Sequence, residues 1–461
     1  MNEVTARAQQ YDEMATLPLL GYGSARAVVA VRAGAALLVE DYLRDVAQLA
    51  ARLPNRKYVV NFCGDRYEFA VALAAAMSRQ QICLLPPAQA PHLLLSLAQR
   101  YPDLYAVCDE PVDVPLECVT RPRSGTCRVG RAPELAFPAS QIAAVAFTSG
   151  STGEPSPHVK TWGHLMAGAA AEAQRFDLCG TERITLIGTV PAQHMYGFES
   201  TVLMALHNGL TLYAGRPFYP ADVRDALAAQ PGERVLVTTP VHLRALLAEQ
   251  QTLPRLRLIV CATAPLAPAM ATEAEARYGA PVHEVYGFTE AGMVATRRTT
   301  DGPTWHTLAG VELREDHAGV WVSGGHVPKP VLATDMLELQ NAHAFILHGR
   351  NADLINVAGK RTSLAYLNQQ ACSIEGVRDA VFHMPEERAD EVTRVTAFFV
   401  APDLSRAQVL SALRARIDAA FLPRPLYLVE ALPRNATGKI TREALLELAQ
   451  ACASSKERRD S

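Results

Sequence analysis

Short apolar runs alternate with stretches of helical spacing from residue 26 to about residue 138. Period-two or continuous apolar segments predict strands over 57–62 and 81–85, with an Ala-rich helix over 68–78 between them. Further buried strands are predicted over 142–147, 183–190, 234–238 and 256–261, and a shorter one over 282–285. Strand–helix–strand units of this size imply an α/β fold with parallel or mixed sheets. From 305 to 347 the pattern turns strand-rich with Gly and His at the turns, which predicts a small β subdomain. After Gly349-Arg350 a strand over 392–400, an amphipathic helix over 406–420 and a last helix over 441–453 predict a small, mobile α+β domain. The expected division is 1–349 and 350–461, with the first 25 residues peripheral and the charged tail 454–461 frayed.

Composition narrows the class. The 461 residues are 49% hydrophobic and 20% charged, enough for a large core and against disorder or a disulfide scaffold. A net charge of −3 supplies no basic field for nucleic acid. The most apolar run, 27–40, contains Arg32 and is too short to span a bilayer, so no transmembrane segment is expected. The polar N-terminus does not read as a signal peptide, and nine scattered cysteines without a C-x-x-C pair read as reduced thiols without a zinc site. Both point to the cytoplasm.

The predicted strand over 142–147 leads into Thr148-Ser149-Gly150-Ser151-Thr152-Gly153, a loop rich in glycine and hydroxyls. Such a loop can aim backbone and side-chain donors at phosphate oxygens. It is not a G-x-x-x-x-G-K-[ST] loop, and Gly438-Lys439 fails that pattern because Pro433 stands at the first glycine. Read alone, such a loop is more often only a turn.

Six ordered motifs give the loop a context. Phe147-Thr-Ser-Gly-Ser-Thr-Gly-Glu-Pro155 resembles the phosphate loop of the adenylate-forming superfamily, which includes acyl- and aryl-CoA synthetases. Pro191-Ala-Gln-His194-Met-Tyr-Gly197 resembles its segment beside the acyl pocket, and Tyr286-Gly-Phe-Thr-Glu290 its Y-G-x-T-E motif. Thr334-Asp335 resembles its T-G-D motif without the glycine. Gly349-Arg-Asn-Ala-Asp353, continued by Gly359-Lys360-Arg361, resembles its hinge, and the segment Pro433 to Arg442 its C-terminal lysine motif. The resemblance spans roughly 141–442. The loop itself departs from the pattern. Ser156 occupies the usual loop-lysine position, and Lys160 lies four residues further on. Lys160 either supplies the missing charge or is a solvated surface lysine. The stretch Pro155-Ser-Pro-His-Val-Lys-Thr-Trp162 resembles short bacterial ligases of aryl polyene and xanthomonadin-type pathways.

The resemblance implies an ATP-dependent acid–thiol ligase with an acyl-adenylate intermediate, ATP and Mg²⁺ as cofactors, and CoA or the phosphopantetheine of an acyl carrier protein as acceptor. It implies these roles: Thr148 to Gly153 and Lys160 on the phosphates, Lys439 between carboxylate and α-phosphate, and Glu290 on Mg²⁺. Thr289 donates to the α-phosphate, and His194 gates the acyl pocket. Ala264, Pro265, Tyr286 and Gly287 flank adenine, and Asp335 and Arg350 bind ribose. Asp353 is the hinge, and Gly359, Lys360 and Arg361 face the thiol side. The short chain suggests a compact ligase serving a carrier protein, and an aromatic acid such as a hydroxybenzoate is favoured over a fatty or hydroxy-fatty acid. Two other readings stay open: an amino-acid adenylation domain, for which 238–242 offers no Asp, and a nucleotide-binding pseudoenzyme, supported by Ser156.

Overall fold

The computed structural model describes residues 15–86, 89–120, 135–148, 156–179, 183–249, 252–350, 354–357, 360–385, 395–435 and 440–460. Two large sheets dominate the N-terminal part. The smaller runs in the order Ser156–Thr161, Ile142–Thr148, Ile82–Leu85, Tyr58–Asn61, Tyr105–Cys108, Cys118–Thr120. All its pairs are parallel except the first, a hairpin in which Ser156 pairs with Thr148.

The larger sheet has eleven strands. Six run parallel in the order Val282–Phe288, Leu258–Cys261, Glu233–Thr238, Ile184–Gly188, Thr211–Tyr213, Val28–Arg32. Gly292–Arg298, Thr304–Thr307, Ala344–Arg350 and Asp335–Asn341 continue it antiparallel at one side. The expected β subdomain therefore divides. Its two ends extend the main sheet, and Val311–Asp316, Gly319–Gly324 and Val327–Leu332 make a separate antiparallel sheet. Strand pairing at long range decides this, and local periodicity does not record it.

The helix Arg66–Ser78 lies between the two sheets, with nearly every residue buried. Its run Phe69-Ala-Val-Ala-Leu-Ala-Ala-Ala-Met77 shows no polar stripe, as a helix packed on all sides requires, and the small alanines let both sheets approach. Asp65 caps it by accepting from the Glu68 amide at 3.1 Å. At its first turn Arg66, 1% exposed, sends its guanidinium onto the carbonyls of Gly188 (2.6 Å), Val190 and Gly215. Burial, reinforced by Arg216, lowers its pKa to about 9.

The C-terminal part has its own core, from Ile355 to Leu426. It contains the hairpin Leu354–Val357 and Lys360–Ser363, the helix Leu364–Cys372, and a mixed sheet of Asp379–His383, Thr396–Val400 and Leu426–Leu428. Ser363 caps that helix through the Tyr366 amide and donates to the His348 carbonyl of the main sheet at 3.0 Å. Asp379 accepts from Arg434 at 2.7 and 2.9 Å and lies 3.5 Å from Arg244 of the N-terminal part. The amphipathic helix stops at Arg414, before a 3-10 turn at Ala419–Phe421. The tail expected to fray is helical instead: Arg442–Asp460 is one helix, consistent with the helix-favouring Lys, Glu and Arg it carries. Among the described residues no helix is long and apolar enough to cross a membrane, and the eight described cysteines are free.

Removing the Arg66 side chain leaves buried carbonyls without their donor. Arg66→Ala is expected to cost about 3 kcal/mol or more in urea unfolding. A loss within about 0.5 kcal/mol, the range of ordinary surface changes, would contradict this role.

Candidate active site

The parallel strands of the larger sheet deliver the expected site segments to one edge, the carboxyl edge where open α/β sheets place ligands. His194 follows Ile184–Gly188 and caps the turn Met195–Gly197, its Nδ1 accepting from the Tyr196 amide at 3.3 Å. The Tyr196 hydroxyl reaches the carbonyls of Thr238 (3.1 Å) and Val260 (2.9 Å), which pins this turn to two neighbouring strands. Gly197 is required there: a Cβ would stand 2.0 Å from the Pro191 carbonyl oxygen.

Ala264 and Pro265 lie in the segment after Leu258–Cys261, half-buried and exposed respectively. Thr263 holds φ +82 in this segment, an unfavourable conformation for a β-branched residue. Glu284, 3% exposed, helps order it by accepting from the Leu266 amide at 3.0 Å, and also accepts from Arg297 (2.6 Å) and Thr299 (2.8 Å).

Val282–Phe288 runs past the expected end of its strand and carries Tyr286 and Gly287 into the site. The Tyr286 ring packs on Phe345 (5.4 Å) and Trp305 (5.9 Å), and its hydroxyl donates to Asp335 Oδ2 at 2.8 Å. Asp335 opens its strand directly opposite Arg350 in the antiparallel register. The missing glycine of the T-G-D pattern leaves this pairing intact. A Cβ on Gly287 would stand 2.4 Å from the Gly292 carbonyl oxygen, so the hairpin is too tight for a side chain. Thr289 and Glu290 form the half-buried turn between its strands.

That turn meets the hairpin of the other sheet. Alternation along Ser156–Thr161 turns His158 and Lys160 to one side and Val159, 56% exposed, to the other. His158 Nε2 lies 3.0 Å from Thr148 Oγ1 and 3.5 Å from Glu290 Oε1. Lys160, 8% exposed, donates to the Glu290 carbonyl at 3.1 Å. The solvated-surface alternative for Lys160 is therefore excluded, because the strand pairing places it inward. Desolvation lowers its pKa, while Glu199 and Glu290 hold it up. Desolvation also lowers the His158 pKa, against the pull of Glu290.

Ser149 to Gly153, Asp353, Gly359 and Lys439 lie outside the described residues, as do the side chains of Arg350, Lys360 and Arg361. Sequence reasoning did not single out His158, Glu284, Glu199 or His326. The alternation His158-Val-Lys160 was the one local signal; the others depend on contacts between distant segments.

Glu199 is half-buried, yet desolvation raises its carboxyl to about 7, with Lys160 pulling it down. Burial holds His326 at about 4 and keeps Glu172 well above the carboxylate range. Among the described residues no cluster of three His, Cys, Asp or Glu could hold a metal by itself. Glu290, its carboxylate 33% exposed and 3.5 Å from His158 of the Thr148 hairpin, is an oxygen donor of the kind that fits Mg²⁺, one carboxylate plus substrate phosphates.

Comparison with known proteins gives the family. Residues 30–330 match the model of the AMP-binding enzyme family. The 4-coumarate–CoA ligase of Rhodobacter capsulatus is 30% identical over 66% of this chain and 76% of its own length. A 2-succinylbenzoate–CoA ligase of Staphylococcus epidermidis is 25% identical over 67% of this chain and 70% of its own. Among solved structures, the o-succinylbenzoate CoA synthetase of Bacillus subtilis with its acyl-adenylate intermediate superposes with a TM-score of 0.79 at 17% identity, covering 94% of this chain and 98% of that one. That likeness shows the fold. The chain belongs to the AMP-binding enzyme family. It is in class an AMP-forming acid–thiol ligase.

Two measurements test the site's internal contacts. Tyr286→Phe removes one hydrogen bond to Asp335 and is expected to raise KM for ATP about fivefold while sparing kcat. An unchanged KM would separate Asp335 from nucleotide binding. The folded chain also retains the Glu199 proton between the ordinary value of 4.5 and about 7, so this group costs stability as pH rises through that window. Glu199→Gln is expected to gain melting temperature relative to the parent on going from pH 5 to pH 8. A pH-independent difference would contradict the raised carboxyl.

Proposed function

We propose that this protein activates an aromatic carboxylic acid, such as a hydroxybenzoate, as its acyl-adenylate and passes the acyl group to a pantetheine thiol. The acceptor is CoA or the phosphopantetheine of an acyl carrier protein in the cytoplasm. The observation that carries the reading is the meeting of the Thr148 hairpin with the Glu290 turn, next to Asp335 paired opposite Arg350. The 4-coumarate and 2-succinylbenzoate in the relatives' names support an aromatic acid.

In this reading ATP lies along the carboxyl edge. Its adenine rests against Ala264, Pro265, Tyr286 and Gly287, and its ribose hydroxyls donate to Asp335, with Arg350 on the same sugar. Donors of Thr148, Ser149, Gly150, Ser151, Thr152 and Gly153 hold the β- and γ-phosphates. Mg²⁺, when bound, neutralises phosphate charge, and Glu290 is the carboxylate that holds it. The acid needs no base, since its carboxyl is already ionised at neutral pH. It attacks the α-phosphorus and pyrophosphate leaves. Thr289 and Lys439 face the oxygens that gain charge, which is where preorganised donors lower such barriers most. His194 gates the acyl pocket. Lys160 acts from beneath, setting the Glu290 turn and adding positive charge to the site.

The second half-reaction uses the small domain, 350–461, turning on Asp353. Rotation withdraws Lys439 and brings Gly359, Lys360 and Arg361 toward the incoming thiol and its phosphates. The thiol attacks the acyl carbon and AMP leaves.

The test is pyrophosphate release from ATP across benzoates, cinnamates, fatty acids and amino acids, each with and without CoA. Release with aromatic acids supports the reading; release with fatty or amino acids alone overturns its substrate. Lys439→Ala is expected to lose about a hundredfold or more in adenylation and to keep thiol transfer from a preformed acyl-adenylate. Equal loss in both half-reactions would overturn the two-pose account.

A further inference from the structure

The His194 turn runs directly into a π-helical segment, Phe198–Leu203. Such windings are rare and often sit at functional sites. Phe198 and Ser200 are fully buried, whereas Glu199 between them keeps an accessible face. Its carboxyl is turned to Gly292: a Cβ there would stand 2.7 Å from Glu199 Oε1 and 3.7 Å from His326 Cδ2. Gly292 itself holds φ +82. Three segments remote in sequence thus converge beside the Glu290 turn: the helix after His194, the hairpin at Gly292, and the turn of the small sheet that carries His326.

The groups at this point are poorly matched to one another. Lys160 spends one donor on the Glu290 carbonyl and attracts Glu199 without closing an ion pair. An ammonium carries three donors, and among the described residues the other two have no hydrogen-bond partner. His326 is 5% exposed, and its ring faces the Met293 backbone without a hydrogen bond of ordinary length and angle. The Glu199 carboxyl and the His326 ring therefore both flank Gly292, within the field of the Lys160 ammonium. A hydroxyl donates and accepts through one oxygen, and so answers both Glu199 and Lys160. A second carboxylate would meet Glu199, an ammonium would meet Lys160, and a hydrocarbon would leave both unsatisfied.

We propose that Glu199, with Lys160 and His326, is the specificity-determining end of the acid pocket, and that the acid it selects carries a neutral hydroxyl remote from its carboxyl group. This rests on the acid-activating reading above and adds the residues that choose among acids. A site built to hydrogen-bond a substrate hydroxyl rejects the analogue lacking it far more strongly than an apolar pocket discriminates by size.

The experiment compares kcat/KM for pyrophosphate release with matched acids: benzoate against 3- and 4-hydroxybenzoate, and cinnamate against 4-hydroxycinnamate. The parent protein is expected to favour the hydroxylated member by about tenfold or more. Glu199→Leu is expected to bring that ratio to about one, and Glu199→Gln, whose amide oxygen still accepts, to retain part of it. His326→Phe gives an independent reading if the leucine variant does not fold, and should also lower the ratio. The proposal is overturned if the parent shows no preference, or if the ratio survives in Glu199→Leu. It is equally overturned if both members lose the same factor while KM for ATP rises, since the cluster then only props the Glu290 turn. Failure of every acid to release pyrophosphate overturns the acid-activating reading and this inference together. Activity without hydroxyl preference overturns this inference alone.

Discussion

The last carbonyls of a parallel sheet have no strand beyond them to supply donors, and buried backbone acceptors must be satisfied. Here two buried side chains meet that requirement. Arg66 takes the carbonyls of Gly188, Val190 and Gly215, and Tyr196 reaches those of Thr238 and Val260. Both residues act where the chain leaves its strands to build the site, so the same contacts that close the core set the His194 turn. The almost fully buried helix behind Arg66 gives the guanidinium a rigid base between the two sheets.

A second constraint is electrostatic. Lys160 comes from the smaller sheet and holds the backbone of Glu290, which belongs to the larger one. Burying an ammonium is costly unless it is paired and hydrogen-bonded. The Glu290 carbonyl and the fields of Glu199 and Glu290 offset that cost, and the opposing pKa directions of Lys160 and Glu199 record it. The Thr148 hairpin and the Glu290 turn are therefore coupled mechanically and by charge. A lysine at the usual position on the loop itself would contribute charge without this support from beneath.

Much of this was legible in the sequence. The buried strands and the Ala-rich helix stand in local pattern, because each element's burial is written in its own residues. The ordered motifs marked the edge segments that the structure brings together: His194, Tyr286, Glu290, and Asp335 opposite Arg350. What could not be read depends on pairing between distant segments. The division of 305–347 between two sheets is such a case, and so is the inward turn of Lys160, which follows from the register of Ser156 with Thr148. Glu284, Glu199 and His326 carry no motif, and each gains meaning only from neighbours on other segments or across a hairpin. The fraying expected of 454–461 gave way to helix propensity in a charged but helix-favouring segment.

The central claim is that a carboxylate attacks the α-phosphorus of ATP at this edge of the sheet. It is tested most directly by following oxygen from the acid. An acid whose carboxyl oxygens are isotopically heavy, turned over with ATP and a thiol acceptor, should leave one heavy oxygen in each AMP released and none in pyrophosphate. Heavy oxygen absent from AMP, or nucleotide recovered as ADP with labelled phosphate, would contradict an acyl-adenylate and with it the roles assigned to the site.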